Sequence, residues 1–494
     1  MSSSQAFPLD FFIFEQQRNF LPKKAKMPNP EFYPFPESSH AEWLEQIKKD
    51  LKGKIDESTL NSTLWDEIQI APVYSFEQRQ RNPNPIRFNL ESKLPGLPPR
   101  IWSNVVSPGA GEEKSINAEI LEVLQLGAEG LALHLNGTED LNLILKGVFS
   151  EYIPLYFLPL GEARPVLIQI KNWVESQKLT SKMLHGAILW SPTGELFKGK
   201  TDLGEQMSLA AGLISDFKSF PDFHPITIDF ARYSNAGGTG IQELSYGLGE
   251  LIEILDHLIQ QGISVNQAIS KIAFHTAIGE NHFPEIAKVK TIRSLLLDLI
   301  SNLGGDLESE AIHLIASTSG WSKSSLDPNT SLIRQTYEAM AAVMGGCNSL
   351  WVKPILGQGN DVLSKRISRN ISTILSEESF LNKVIDPGAG SYYLESLQNE
   401  ISNLVLKQLE ILEDEGGWTA NFMNRTIHSQ IKKTATKTQR KVLEKQKILI
   451  GVNSYKLKNE DSFKLSPSNT EFEDYELHPS SASYLVETEK SNQL

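Results

Sequence analysis

The sequence predicts an α/β fold in which eight parallel strands, each followed by a helix, close into a (β/α)8 barrel. Short runs of apolar residues alternate along the chain with longer segments in which apolar residues recur every 3.6 positions. Strands that are buried on both faces must be apolar throughout, and these runs are. The alternation supplies eight units, which favours closure into a barrel of the TIM type over an open sheet.

The order of elements follows from this pattern. Each apolar run is a predicted strand: Gly130–Leu135, Ile153–Leu158, Gly186–Trp190, Pro225–Phe230, Lys271–Ala277, Ile312–Ala316, Ser349–Val352 and Ser391–Leu394. Each periodic segment is a predicted helix: Ala163–Gln177, Leu203–Phe217, Ile241–Leu258, Glu285–Leu303, Leu332–Met344, Val362–Ser376 and Leu397–Glu415.

The segments outside this pattern complete the chain. Five prolines between Pro22 and Pro36 favour an extended linker, and an amphipathic helix is predicted at Glu42–Leu51. A second proline-rich stretch, Asn82–Pro108, leads into the main body. We therefore expect four parts: residues 1–37, a mobile amino-terminal arm or linker; 38–110, an amino-terminal region; 111–457, the barrel with trailing helices; and 458–494, a surface or disordered tail.

An open, doubly wound sheet is the alternative architecture. It would carry G-x-G-x-x-G at its first strand–helix turn. The nearest match begins at Gly238-Thr239-Gly240, and Glu243 stands in place of the third glycine. The barrel is therefore the favoured architecture.

Composition limits the classes of function. The 494 residues include 60 Asp or Glu and 47 Lys or Arg, a formal net charge of −13. An acidic surface repels phosphate backbones and anionic lipid, so we expect no nucleic-acid and no membrane partner. No apolar run reaches the roughly 18 residues that a membrane span needs. Cys347 is the only cysteine, which excludes an internal disulfide and a cysteine-based zinc site and favours a reducing, cytoplasmic location.

Candidate functional residues lie just after the strands, because barrel sites form at the carboxyl ends of the strands. No H-E-x-x-H, P-loop, C-x-x-C or G-x-S-x-G is present, so a standard hydrolase or NTPase has no motif to support it. The candidates are His134, Asn136, Pro159, Ser191, Thr193, Ala231–Asn235, His275–His282, Ser317–Trp321, Lys353 and Asp386–Ser391.

Two of these groups allow both a functional and a structural interpretation. In the functional interpretation, His275 and Glu280–His282 are metal ligands or an acid–base cluster. In the structural interpretation they are packing and loop residues, and the lack of a third metal ligand at a suitable spacing favours this one. In the functional interpretation, Arg232 with Tyr233 binds a carboxylate or phosphate. In the structural interpretation Arg232 forms an ion pair, and the sequence does not decide between the two.

Two further segments are read in the same way. Ser317–Trp321 either lines a ligand-binding opening at the end of the barrel or fills that opening with side chains, and the spacing of residues does not distinguish these two roles. Cys347, between Gly346 and Asn348 before an apolar run, is expected to be a buried, inert thiol.

Blocks of the chain resemble the methylmalonyl-CoA mutases. Ala277–Lys290 is similar to the family's G-N-D-F-F-x-E-I-A-K-x-R at its fifth strand and helix, and Thr318–Ser322 to its T-S-G-W-S. The resemblance runs from about Phe35 to Tyr455. Further collinear blocks are Phe35-Pro36, Glu42-Trp43, Asp50–Gly53, Asp327-Pro328, Arg334, Glu338–Gly346, Arg369-Asn370, Glu377–Ser379, Asp386–Tyr392 and Gly451–Tyr455.

The resemblance implies a radical isomerisation. In this family adenosylcobalamin homolyses, the adenosyl radical removes a hydrogen from the acyl group, and methylmalonyl-CoA and succinyl-CoA interconvert. CoA threads the barrel, and cobalamin covers its mouth on a separate carboxyl-terminal domain.

The chain departs from the family pattern where that chemistry takes place. Ala231 and Arg232 replace the Tyr-His that follows the fourth predicted strand, so the thioester donor is missing. No D-x-H-x-x-G cobalamin-ligand motif is present. Three further segments differ: Leu94–Trp102 replaces P-G-x-x-P-F/Y-x-R-G, Asp327–Ser331 replaces D-P-Y-N-N, and Trp351–Lys353 replaces H-T-N.

These departures resemble the small, non-catalytic subunit of the heterodimeric bacterial mutases. The resemblance implies a barrel without a carboxyl-terminal cobalamin-binding domain, with no catalytic, cofactor-binding or metal residues of its own. The expected partner is a homologous large catalytic subunit, and adenosylcobalamin is expected on that subunit. Two alternatives are an active acyl-CoA mutase barrel that uses a cobalamin-binding domain on a separate chain, and an assembly scaffold for the mutase.

Overall fold

The structure is a computed structural model that describes residues 39–52, 56–75, 77, 97–200, 202–308, 311–355, 362–456 and 473–491. The chain divides into two compact units, Met1–Asn61 and Ser62–Leu494. The predicted arm, residues 1–37, lies outside the described residues.

The first unit contains the predicted amino-terminal helix. Helix α1, His40–Asp50, begins with a capping box in which the Ser39 hydroxyl accepts from the Glu42 backbone N–H and the Glu42 side chain accepts from the Ser39 N–H. A short 3₁₀ helix, Glu57–Leu60, follows. The helix expected at Glu42–Leu51 is confirmed.

The second unit begins with an antiparallel hairpin, β1 (Ser62–Leu64) and β2 (Ile68–Ile70). Parallel strands then alternate with helices. The strands are β3 (Ser103–Val106), β4 (Gly130–Leu135), β5 (Leu155–Pro159), β6 (Gly186–Ile188), β7 (Phe223–His224), β8 (Ile226–Asp229), β9 (Ile272–Ile278), β10 (Leu314–Thr318) and β11 (Ser349–Trp351). The helices between and after them are α2 (Glu113–Gln125), α3 (Leu141–Ile144), α4 (Ala163–Ser176), α5 (Leu203–Asp216), α6 (Ala231–Asn235), α7 (Gly240–Gln260), α8 (Val265–Ile269), α9 (His282–Asn302), α10 (Pro328–Gly345) and α11 (Val362–Glu377).

The strands close into a barrel. Their order is β7-β6-β5-β4-β3-β11-β10-β9-β8, and every pair is parallel. β7 and β8 are two halves of one strand interrupted at Pro225, which has no backbone N–H to donate. β7 pairs with β6 and β8 with β9, and the Thr227 N–H donates to the Trp190 carbonyl at 2.7 Å across the remaining gap. The predicted (β/α)8 barrel is therefore confirmed.

One barrel strand was missed and one predicted strand is a helix, so the predicted number of eight strands is still correct. Ser103–Val106, the first barrel strand, was not predicted, while Ser391–Leu394 is not a strand. It is the start of a helix, because the Ser391 hydroxyl accepts from the Leu394 N–H as an N-cap. Each predicted strand is therefore one place later in the barrel, and the strand before Ala231 is the fifth.

The barrel interior is filled by side chains at its lower and middle levels. Alternate residues of each strand point outward against the helices, and the others meet on the axis. The inward cluster consists of Val105, Ala132, Tyr156, Ala187, Ala273, Ile315 and Trp351. The Tyr156 hydroxyl is 3.0 Å from His313 Nε2 and 2.5 Å from Ser349 Oγ. Small residues on three strands thus make room for large ones on their neighbours.

Further helices follow the barrel strands, and the first of them packs against α7 and α9. They are α12 (Tyr392–Asp414), α13 (Gly417–Met423), α14 (Thr426–Leu443) and α15 (Tyr484–Ser491). Ala482 and Val486, from the segment predicted as a tail, are buried in a cluster with Trp321 and Ala435. Within the described ranges, no helix combines the length and the apolar character that crossing a bilayer requires.

Candidate functional site

A cavity of about 830 Å³ lies at the carboxyl ends of the strands, above the filled part of the barrel. Exposed residues at its edge, such as Asn136 and Leu160, connect it with solvent. Its wall is formed by Ser107–Gly111, Ile116, Leu133–Asn136, Glu139, Ile144, Leu158–Leu160, Leu189, Asp229, Asn235, His275, Trp351, Lys353, Pro354 and Lys365. About half of these side chains are apolar, and nine are polar or charged, a combination that suits a small molecule with both an apolar and a polar part.

Three side chains from adjacent strands form a hydrogen-bonded chain on one side of this cavity. His275 Nδ1 is 2.8 Å from Asp229 Oδ1, and His275 Nε2 is 2.9 Å from Ser317 Oγ. Burial alone would raise the pKa of Asp229, but His275 and Arg232 together lower it to about 2. Ser317 is fully buried and does not line the cavity, whereas Asp229 and the nearly buried His275 both do. This geometry holds His275 in place and leaves no accessible nucleophile.

Lys353 contributes a cation to the cavity wall. Its backbone N–H donates to Thr318 Oγ1 at 3.0 Å, and its Nζ lies 4.7 Å from the centre of the Trp351 ring. Among the described residues no carboxylate lies within ion-pair distance of this ammonium and no acceptor is hydrogen-bonded to it. Burial lowers the pKa of Lys353, although the Asp229 charge acts in the opposite direction. Within the described ranges, the ring of Trp351 is the group that the ammonium contacts.

His134 packs against the same indole, with ring centroids 6.0 Å apart and ring planes tilted by 52°. Burial of part of the ring and the Lys353 charge lower the pKa of His134, which favours the neutral imidazole. In the described part of the chain neither ring nitrogen of His134 has a hydrogen-bond partner. The cavity therefore holds a cation and an imidazole that are both open to a ligand.

Arg232 points away from the cavity, into a buried ionic cluster. Its Nη1 is 3.4 Å from Glu250 Oε1, and its Cζ is 4.3 Å from the centre of the Phe197 ring. Glu250 is fully buried and also accepts from Thr193 Oγ1 at 2.6 Å and from the Tyr233 hydroxyl. Burial raises the pKa of Glu250, and Arg232 opposes that effect. Of the two interpretations of Arg232, the structure supports the ion pair.

The predicted cluster after His275 does not form a metal site. His282 Nδ1 lies 3.1 Å from the Tyr337 carbonyl, and Glu280 forms an ion pair with Lys447 at 2.6 Å. The described residues contain no group of three or more His, Cys, Asp or Glu placed to hold a metal ion. The structure disperses these side chains into separate structural contacts.

The remaining candidates also have structural contacts. Trp321 is buried against helices that follow the barrel, so Ser317–Trp321 does not line the 830 Å³ cavity. Asp386 accepts from Lys290 Nζ at 2.6 Å. Burial raises the pKa of the Cys347 thiol to about 11, which agrees with the expected inert thiol.

The block Ala277–Lys290, which resembles the family, takes part in a second buried ionic cluster. Lys288 Nζ lies 2.6 Å from Glu243 and 2.7 Å from Glu285, and all three side chains are buried. Thr276 donates to Glu243 at 2.6 Å. Burial raises the pKa of Glu285 to about 7 despite the nearby ammonium. The block therefore ties α7 and α9 to β9 and forms part of the scaffold.

Sequence analysis missed the relationship between residues in the cavity. His134 and Lys353 were each recognised as strand-end residues, but they lie 219 positions apart in the sequence. Only the closed order of strands, in which β3 separates β4 from β11, brings both of them to the Trp351 indole. Asp229 was inside a predicted strand and was not singled out.

A sequence model of methylmalonyl-CoA mutase matches residues 115–489. The chain belongs to the methylmalonyl-CoA mutase family. It is 28% identical over 446 residues to the methylmalonyl-CoA mutase small subunit of Porphyromonas gingivalis, across 86% of this chain and 71% of that one. It is 29% and 28% identical over 470 residues to the mitochondrial methylmalonyl-CoA mutases of Bos taurus and Homo sapiens, across 86% of this chain and 61% of each relative.

His275 does not fit the family's cofactor, adenosylcobalamin. A cobalt ligand needs a free imidazole nitrogen, whereas both nitrogens of His275 are engaged. The position of the family's Tyr-His holds Ala231, which is buried, and Arg232, which is bound to Glu250. We therefore derive no cobalamin-dependent step for this chain.

Proposed function

We propose that this chain is the small, non-catalytic subunit of a heterodimeric, adenosylcobalamin-dependent methylmalonyl-CoA mutase, in which it stabilises a homologous large catalytic subunit. The observation that carries this proposal is the filled barrel. Tyr156, Ile315 and Trp351 occupy the axis along which CoA is expected to thread in catalytic members. A chain with this interior contributes packing surface to the complex, and the cofactor and the reaction belong to the partner.

The contacts at the mouth support the same proposal. Ala231 brings no hydrogen-bond donor to the place of the family tyrosine, and Arg232 is committed to Glu250. The similarity to a protein called the small subunit agrees with this assignment. The buried thiol of Cys347 is suited to a reducing compartment, and we propose that the complex is cytoplasmic.

Co-expression with a large-subunit homologue tests the proposal. We expect the two chains to co-elute in size exclusion, and the large subunit to lose stability or activity when this chain is left out. The chain alone should neither bind adenosylcobalamin nor isomerise methylmalonyl-CoA, and either activity in the isolated chain would contradict the proposal. A pair that forms during expression but separates on purification would instead indicate an assembly scaffold.

The cavity favours a second candidate, an active acyl-CoA mutase barrel that uses a cobalamin-binding domain on a separate chain. Its volume of about 830 Å³ and its Lys353 ammonium leave room for an acyl group at the mouth. Mixing this chain with an isolated cobalamin-binding domain and an acyl-CoA tests it. Isomerised product would support this candidate, and its absence while the large-subunit complex turns over would reject it.

A further inference from the structure

The charges around the mouth cavity are balanced except at one position. Asp229 is compensated by His275 at 2.8 Å and by Arg232 at 4.0 Å. Lys365, at the edge, is paired with Glu119 at 2.7 Å. Lys353 has no such partner among the described residues.

Glu139, the other carboxylate of the wall, is compensated by backbone donors. The N–H groups of Asn136 and Gly137 donate to it at 2.8 and 2.9 Å. Although burial opposes the effect, these bonds lower the pKa of Glu139. Among the described wall residues, Lys353 is therefore the charged group without an ion-pair or hydrogen-bond partner, although the Asp229 charge favours its ammonium form at longer range.

Further donors adjoin this charge. The neutral imidazole of His134 offers an N–H from one nitrogen and has no partner within the described chain. The Trp351 indole N–H is buried and lacks an acceptor among the same residues. A buried donor without an acceptor, such as this indole N–H, is rare in folded proteins, because it costs the free energy of its lost hydration. The His134 side chain is exposed at the cavity and its N–H is accessible to a ligand. A group of acceptor oxygens is the ligand chemistry that would satisfy this corner.

The size and lining of the cavity restrict the anion. The pocket wall contains no arginine among its described residues, and phosphate recognition usually employs arginine forks or several aligned N–H groups. Tyr156 and Ile315 close the barrel beneath, so a long pantetheine chain has no passage through the axis. Leucines line much of the remaining wall, namely Leu133, Leu135, Leu158, Leu160 and Leu189. A single ammonium beside aliphatic walls matches a small acid with an alkyl chain.

We propose that the mouth cavity binds a free short-chain carboxylic acid, whose carboxylate contacts the Lys353 ammonium and the His134 imidazole and whose alkyl chain packs against the leucine wall. This site goes beyond the role of the chain as a non-catalytic subunit, and its ligand undergoes no reaction here.

Calorimetric titration of the full chain tests this site. Hexanoate should bind, and hexanamide, which has the same shape without the charge, should bind at least about tenfold more weakly. Along the series from acetate through butyrate to hexanoate, each added CH₂ should tighten binding by up to about fourfold, because more alkyl surface leaves water. Equal binding of hexanoate and hexanamide, or no binding of any acid at millimolar concentration, would overturn the proposal.

Two variants locate the site. K353M keeps the length of the side chain and removes its charge, so it should weaken hexanoate binding about tenfold or more and leave hexanamide unchanged. K146M, at an exposed lysine outside the cavity, is the matched control and should bind as the unmodified chain does. Unchanged hexanoate affinity in folded K353M refutes the assignment, and so does a cavity that binds hexanoyl-CoA but no free acid. None of these measurements needs the large subunit.

Discussion

Replacing Arg232 with methionine decides whether its guanidinium serves as a structural counter-charge. Methionine retains an apolar contact with Phe197 and removes the charge that lies 3.4 Å from Glu250. Glu250 is fully buried, so the variant leaves a carboxylate in the interior with only its bonds from Thr193 and Tyr233. Breaking a buried pair costs about 3–5 kcal/mol, and these two remaining bonds place the expected loss near about 3 kcal/mol.

The loss should depend on pH in a defined direction. Burial already raises the pKa of Glu250, and removing Arg232 takes away an interaction that lowers it. A carboxyl whose pKa is raised in the folded state binds more protons than in the unfolded state, so its contribution to stability falls as pH rises from the unfolded to the folded pKa. The proton can replace the guanidinium at low pH. R232M should therefore lose more stability at pH 8 than at pH 5.

Urea unfolding followed by circular dichroism measures these effects. The control is R164M, because Arg164 pairs with Glu205 at 2.6 Å on the surface and should contribute less than about 1 kcal/mol. The double variant R232M/E250Q should be more stable than the sum of the two single losses predicts, since it removes both charges. A loss in R232M no larger than in R164M, or one that is equal at pH 5 and pH 8, would refute this role of Arg232.

Three further predictions concern packing, titration and assembly. A Cβ at Gly247 would lie 1.8 Å from a ring atom of Phe230, so G247A should lower the free energy of unfolding by about 1–3 kcal/mol, as measured by thermal unfolding. The control is G212A, where a Cβ would have no atom within 4 Å and stability should not fall. Burial raises the pKa of Glu338 from 4.5 to about 7, although the Lys323 ammonium opposes the effect. The contribution of this carboxyl to stability should therefore fall as the pH rises across that range, and E338Q should lack this part of the decline in urea unfolding. Lys432 and Lys433 are exposed on a basic helix of an acidic chain. K432E/K433E should therefore weaken co-elution with the large subunit at low salt and not at high salt, because salt screens charge contacts. An equal loss of co-elution at both salt concentrations would contradict an electrostatic contact.

The repeating units of the fold were predictable because their signal is local. Helices and strands with continuous apolar periodicity, such as α7 and β4, agree closely with their predicted bounds. The first barrel strand was missed because its position depends on distant contacts. Arg100, just before it, donates to the carbonyl of Cys347 at 2.7 Å, across a separation of 247 residues. Four residues after a proline-rich stretch do not reveal such a contact.

The error at Ser391–Leu394 has the opposite cause. Two tyrosines and a leucine after a glycine favour a strand by composition, but the Ser391 cap and the continued spacing of Leu394, Leu397 and Ile401 make it a helix. Strand-end positions were still a sound guide, because His134 and Lys353 both line the cavity. Whether such a side chain has a hydrogen-bond or ion-pair partner depends on its rotamer and on the residues of neighbouring strands. The spacing of residues in the sequence gives no information on either.

The change from H-T-N to Trp351–Lys353 alters two levels of the barrel at once. The Trp351 ring joins Tyr156 and Ile315 in closing the axis, while Lys353, two positions on, lies over the same ring at the floor of the cavity. Successive inward positions on a strand are two residues apart, so one short segment can both fill the passage and shape the space above it. A barrel that serves only for packing gains nothing from an unpaired ammonium at this floor, because burying an uncompensated charge costs free energy. The filled axis supports the proposed non-catalytic role, and the proposed carboxylate would give the Lys353 ammonium a counter-charge.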